Sequence, residues 1–353
     1  MRIAWCLLAA AGCTTIEDGF ALEIDALEAP VVVVKDGDGP WERVATTTDG
    51  RAFVQIYRDF YGVGALCSDE ILPIANFIFD TQPRTVFLPC PVTPTTTAVH
   101  VRGTTAPMAE VWVGSLSTRA DESGAYDLAL WDTGLHDIVA IVPSAPPKIV
   151  AQRGVVIAGN TRVDLPATGA VEMTVLYPMV TGAERDAIAV SSDLNTSTDW
   201  VSFGSDPTTV YLPPPDFLVP TDRPAIAAHG NGCTRQHPLS AANEPIELPA
   251  PITYTLDRAQ VTWSADPAVA WESSLVDIDS TNGRYMAYAS ASWREANATS
   301  SIPIVDLAAL PGWTSDLPRL AADERALVGF SVSRGAFDGD LTSCRASAQL
   351  ERW

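Results

Sequence analysis

The chain has 353 residues, 43 acidic and 22 basic side chains, a net charge of −21 and 47% hydrophobic residues. The hydrophobic share is that of a globular protein and excludes a disordered chain. The length exceeds the roughly 250 residues at which single cores stop growing and allows two to four domains. A body this acidic repels phosphate backbones, which excludes nucleic acid as a partner and makes solubility the first consequence of the charge.

The chain opens MRIAWCLLAAAGCTT. Arg2 supplies a minimal positive region, and Ile3 to Ala11 form an apolar run within the roughly 7–15 residues of a signal segment, below the ~20 that span a bilayer. The ending Leu8-Ala9-Ala10-Ala11-Gly12-Cys13 resembles the lipobox of bacterial lipoproteins. That resemblance implies that residues 1–12 are cleaved and that Cys13 carries a diacylglycerol and an N-acyl chain. Several chains on one residue anchor stably where a single chain binds only marginally. Thr14 rather than Asp after the cysteine implies the outer membrane. Ordinary cleavage after Ala11 is the alternative, and both routes export the chain. The membrane is then a partner through the lipid anchor, with an envelope glycan or protein as a further one, and no cofactor is called for.

Cys6 leaves with the signal and Cys13 is spent on lipid, so Cys67, Cys90, Cys233 and Cys344 remain, with three possible pairings. Proximity and the module boundaries favour Cys67–Cys90 and Cys233–Cys344. Chain entropy values these closures at about 3 and about 4–5 kcal/mol. No pair has CxxC spacing, so they read as staples rather than chemistry.

Residues 13–28 carry Glu17, Asp18, Glu23, Asp25 and Glu28 without a basic group and read as an acidic tether, part of which is able to pair as an edge strand. Beyond it, short alternating or β-branched runs are separated by Gly, Pro, Asn and Asp, the pattern of β-sandwiches. Leu88-Pro89, Leu165-Pro166 and Leu248-Pro249 close three segments at intervals of about 80 residues, each Pro ending a strand because it cannot donate to a ladder. Modules are therefore expected at 29–91, 92–168, 169–250 and 251–353.

In the second module, Val99 and Val101, Val111 and Val113, and Tyr126, Leu128 and Leu130 alternate inward, and "HDIVAIV" reads as a strand buried on both faces. This order resembles the transthyretin-like, carboxypeptidase-regulatory-like domains, which implies a scaffold or binding role without catalytic residues. The first module, with "KDGDGPWERV", "RAFVQIY" and "YGVGALC", resembles the Ig-like modules of large myxobacterial-type surface lipoproteins. The fourth opens with "AQVTWSAD", similar to the early Trp strand of fibronectin type III domains, and Asn282-Gly283 signals a hairpin. Asp306 is expected to cap a single turn, and Asp316 with Pro318 to start a helix through about Leu327. The fold class is thus all-β: tandem Ig-like, transthyretin-like and fibronectin-III-like sandwiches with one or two short loop helices.

No G-x-S-x-G, H-E-x-x-H, Walker or G-x-G-x-x-G motif is present. His229, Cys233 and His237 form an H-x₃-C-x₃-H run, but oxidation of Cys233 removes the thiolate that a metal needs. Asp36-Gly37-Asp38-Gly39 reads as a turn, since a calcium loop requires Glu at its twelfth position, where Thr47 stands. Most tryptophans fall in or beside strands and read as core. Trp41, Trp271 and Trp313 lie in polar or Pro/Gly-rich surroundings and are the candidates for exposed ligand platforms. The functional expectation is a non-enzymatic envelope lipoprotein acting as a structural or binding component. A carbohydrate- or calcium-binding module is one alternative. A hydrolase with a dispersed site, placing a Ser or carboxylate near His229 or His237, is another.

Overall fold

The computed structural model describes residues 19–350 apart from 69–72, 83–84, 89, 91–97, 185–187, 197, 239–243, 321–324 and 336–340. Cys13 and residues 1–12, read above as a signal segment, lie outside the described residues. The first module holds β1 (Phe20–Asp25), β2 (Val31–Asp36), β3 (Glu42–Val44), β4 (Arg51–Ile56), β5 (Tyr61–Cys67), β6 (Ile74–Asp80) and β7 (Thr85–Phe87). The second holds β8 (Val99–Thr104), β9 (Glu110–Val113), β10 (Leu116–Arg119), β11 (Ala125–Leu130), β12 (Gly134–Val142), β13 (Lys148–Ile157) and β14 (Thr161–Arg162). The third holds β15 (Val171–Glu172), β16 (Thr174–Leu176), β17 (Val180–Thr181), β18 (Ala189–Asn195), β19 (Trp200–Asp206), β20 (Val210–Leu212), β21 (Arg223–Gly230), β22 (Cys233–Pro238) and β23 (Ile246–Glu247). The fourth holds β24 (Thr253–Leu256), β25 (Gln260–Ser264), β26 (Ser273–Ser280), β27 (Gly283–Ser290), α1 (Ala291–Ala296), β28 (Ser301–Pro303), β29 (Ala326–Arg334) and β30 (Leu341–Leu350). The protein is all-β.

The segment expected as a tether contributes a central strand. β1 lies between β4 and β7, with Leu22 and Ile24 fully buried while Glu23 and Asp25 face outward. The acidic residues mark only the solvent side of an alternating strand. Both expected disulfides are present, Cys67–Cys90 within the first module and Cys233–Cys344 between the third and fourth.

The modules are not separate sandwiches. A twelve-stranded sheet runs in the order β19-β18-β21-β22-β30-β29-β26-β27-β6-β5-β2-β3 and passes through the third, fourth and first modules. β22 pairs with β30 antiparallel, with Cys233 opposite Cys344. β27 pairs with β6 in parallel, Arg284 with Ile74 through Ala289 with Phe79. The second module keeps its own sheets, β10-β9-β12-β13-β15 and β11-β8-β14.

β5 shows what this merger requires. All seven of its residues are buried. One face (Tyr61, Val63 and Ala65) packs on Leu22, Ile24, Ile56 and Val86. On the other face Gly62 and Gly64 carry no side chain, and aromatic rings fill the space. A Cβ on Gly64 would stand 2.3 Å from Phe77 Cε1 and 3.0 Å from Val33 Cγ2, and one on Gly62 would stand 2.9 Å from the Trp41 ring. Phe77 is itself held between Trp41 at 5.6 Å and Tyr285 of β27 at 5.4 Å between centroids.

The second and third modules meet on an apolar patch of Val139, Ile149, Met173, Leu194 and Val201, beside a set of charged side chains. His136 Nδ1 lies 2.9 Å from Asp199 Oδ1, and Asp199 also accepts the Asp137 N–H. Arg153 donates to Asp137 Oδ2 at 3.1 Å and to Asp222 Oδ2 at 2.8 Å.

Of the expected helices, the turn capped by Asp306 is a 3-10 turn at Leu307–Ala309, with the Asp306 side chain accepting from the Ala308 N–H. The helix from Asp316 is not formed: residues near it are turn and irregular chain, and Ala326–Arg334 is a strand along β26. Tertiary pairing here overrides local propensity. α1 follows β27 directly, its N-cap Ser290 accepting from the Trp293 N–H. The Asn282-Gly283 signal marks the β26–β27 hairpin, with Ser280 opposite Gly283.

Gly64→Ala is expected to lower stability by about 1–3 kcal/mol, because Phe77 has no room to move aside. Urea unfolding should show a lower midpoint with an unchanged slope. A midpoint equal to the wild type would refute the packing account.

Candidate functional site

The open edge of the first module forms a cleft of about 900 Å³. β3 and β4 are consecutive strands in different sheets, and among the described residues each pairs on one side alone, with β2 and β1 respectively. Val34, Val44 and Val54 line the cleft between them. One end is closed where two turns are tied together. Asp36 accepts the Tyr57 and Arg58 N–H groups at 3.1 and 3.0 Å, and the Gly37 N–H donates to Phe60 O at 2.9 Å. Gly37 has φ 55°, and a Cβ there would stand 2.7 Å from Arg58 Cγ. The Asp36–Gly39 run is therefore a turn, as read from its residues. Asp38, Glu42 and Asp59 add carboxylates to the rim, against Arg43 and Arg58.

The three tryptophans expected on the surface are packed instead. Trp41 stacks edge-on against Phe77 and Phe79. Trp271 is 8% exposed, and its indole N–H donates to Asp266 O at 3.1 Å. Trp313 packs against the same core and donates to Pro318 O at 3.0 Å. For Trp271 and Trp313 the Pro- and Gly-rich context that pointed to exposure supplies backbone carbonyls, which satisfy the indole N–H groups inside the fold. Trp131, expected in the core, is 54% exposed.

A serine does stand beside His229. Ser191 Oγ is 2.8 Å from His229 Nε2, and Thr234 Oγ1 is 2.9 Å from Nδ1. The three lie on adjacent strands and one sheet face, since Ala189 pairs with His229 and His229 with Thr234. Burial pushes the His229 pKa below its ordinary value and favours the neutral ring. In a serine triad Nδ1 faces a carboxylate that stabilises the imidazolium; here it faces a hydroxyl, which carries no charge. His237 is buried on the opposite face, toward Ile226. Cys233 is oxidised, and no cluster of metal-ligating side chains occurs among the described residues.

Asp193, two residues from Ser191, is held up to a pKa of about 6 by burial, opposed by a hydrogen bond from Ser202. The edge residues Phe53 and Tyr57, 67% and 55% exposed, were not singled out by the sequence. The alternation of "RAFVQIY" carried the signal, but it gives facing without showing which strand lacks a neighbour.

No family model matches the chain, and no curated protein matches it. Among solved structures it is similar to the Bacillus anthracis TIE protein, with 11% identity, 65% of this chain and 50% of that chain covered, and a TM-score of 0.17. The chain thus spans half the length of that neighbour.

Asp193 sets a pH dependence. Its folded pKa of about 6 lies above the roughly 3.9 of an unfolded aspartate. The native state therefore binds more protons than the unfolded state between about pH 4 and 6, and stability falls as pH rises through that window. Asp193→Asn should be more stable than wild type near pH 7.5 by on the order of 2 kcal/mol, with the gap closing toward about pH 4. A pH-independent gap in urea titrations would reject the assignment.

Proposed function

We propose that the chain is an exported, lipid-anchored envelope component with a structural or binding role and no reaction of its own. The observation that carries this reading is the pair of disulfides, Cys67–Cys90 and Cys233–Cys344, because such crosslinks persist in oxidising compartments outside the cytoplasm. The Cys233–Cys344 bond lies on the β22–β30 pair that joins two modules, and it supports a body held in one arrangement rather than a string of independent beads. A hydrolytic role is not favoured, since the Ser191–His229 pair lacks the third, charged member of a triad.

In this reading Cys13 is the anchor at the outer membrane, and the modules present their surfaces to an envelope partner. Radiolabelled palmitate should enter the wild-type chain and not Cys13→Ala, and the variant should leave the membrane fraction for the soluble one. Equal labelling of the two proteins refutes the anchor. Screens with esterase, protease and glycosidase substrates are expected to stay at background, and turnover abolished by Ser191→Ala would replace this reading with an enzymatic one.

A further inference from the structure

The geometry points to a binding mode on the first module: we infer that β4 accepts an extended, cationic strand from a partner protein by β-strand addition along the cleft. This rests on the reading of the chain as a binding component and specifies the partner's chemistry.

The first support is the direction of the β4 backbone groups. Ala26, opposite Gly50, donates to the Gly50 carbonyl, so the next pair, Asp25 with Arg51, is the one whose amides face away from each other. Arg51 accordingly turns outward, where its carbonyl accepts the Thr47 N–H at 2.7 Å and its N–H donates to Thr47 Oγ1 at 3.2 Å. The β1–β4 register runs without a shift from Phe20–Ile56 to Asp25–Arg51. By the two-residue period, Phe53 and Gln55 also direct their N–H and C=O groups to the free edge.

The second support is that Thr47 covers the edge at Arg51 alone, and among the described residues no strand lies beside Phe53 and Gln55. Natural edges are blunted by Pro, Lys, bulges or a covering segment. β4 reads Arg-Ala-Phe-Val-Gln-Ile, has no bulge and leaves Phe53 67% exposed. Such an edge is a template for another strand.

The third support decides the occupant. An added strand would turn alternate side chains into the cleft over Val54 and Val44 and the others outward beside Phe53. Apolar groups suit the first positions and guanidinium groups the second, where an aromatic face attracts cations. The rim carboxylates and the charge of −21 favour a basic segment and oppose a second copy of this chain.

The test uses the full delipidated chain and the peptide Arg-Val-Arg-Val-Arg-Val-Arg, titrated calorimetrically. It is expected to bind. Arg/Val order scrambling, or N-methylation of the amides that would face β4, should each weaken it about tenfold or more, and the Glu-for-Arg peptide should not bind. Phe53→Pro should give a similar loss while keeping its near-UV spectrum, because the Phe53 N–H faces the free edge and Pro there removes no ladder bond. Asp38→Lys with Glu42→Lys should also weaken binding. Equal affinity of the scrambled or N-methylated peptide, or of Phe53→Pro, overturns the inference. So does a chain that binds none of these peptides, or only oligosaccharides, or only itself. Palmitate labelling of Cys13 is read separately, so failure here leaves the anchor untouched.

Discussion

Backbone pairing between strands far apart in sequence organises the molecule, and the β6–β27 ladder is the pairing on which most else depends. β6 belongs to the first module and β27 to the fourth, yet they run in parallel with six residue pairs in register. The pairing places Tyr285 against Phe77 and Trp293 against Phe79. Those rings cover the second face of β5, whose glycines cannot cover it themselves. A strand buried on both faces needs two layers of cover. The first module supplies one through β1, β4 and β7; the fourth supplies the other. Separated from β27, the first module would leave Phe77 and Phe79 facing water.

The joint between the second and third modules follows different physics. Among the described residues, no ladder joins the bodies of these two sandwiches beyond the short β13–β15 contact. Their apolar patch is fixed in place by Arg153, which bridges Asp137 and Asp222, with the Asp137 and Asp222 side chains 5% and 0% exposed. Buried ion pairs contribute little net stability against well-packed apolar groups, but loss of one partner costs about 3–5 kcal/mol. Arg153 therefore acts on geometry: an apolar patch alone permits sliding, and a guanidinium held between two carboxylates does not. The β-bulge between His136 and Ile138 turns Asp137 toward this bridge, which gives the irregularity a structural reason.

How much of this was legible follows from where each signal resides. Strand alternation lives in side chains, so the all-β class and most strands were readable. The Leu-Pro endings marked real strand ends, with Leu88, Leu165 and Leu248 all buried. Both disulfides followed from proximity in the module scheme. Strand merger was invisible because an edge pairs through backbone groups, a C=O on every residue and an N–H on every residue but proline, that do not depend on side-chain identity. The sequence of β1 reads as a tether, or at most an edge strand, because its outward residues are acidic, although Leu22 and Ile24 alternate between them. The tryptophans misled for a related reason. A Pro/Gly-rich neighbourhood predicts an irregular backbone, and an irregular backbone also offers the free carbonyls that let an indole be buried. Ser191 and His229 meet only because β18 and β21 are neighbours, which no spacing in the chain announces.

Among the described residues the extended sheet ends at β3 and β19, and the small sheet of the first module ends at β4 and β7. Closing a barrel would remove such edges, but β3 and β4 diverge into different sheets and the cleft lies between them. Edges of this kind normally invite association with identical copies. The net charge of −21 opposes that association over the whole surface, while local carboxylates at the cleft oppose it where backbone groups are free. Electrostatics thus takes over the protective role that lysines and prolines fill on other edges. At the cleft the carboxylates of Asp36, Asp38, Glu42 and Asp59 outnumber the guanidinium groups of Arg43 and Arg58, so the opposition is stronger toward anionic strands than toward cationic ones.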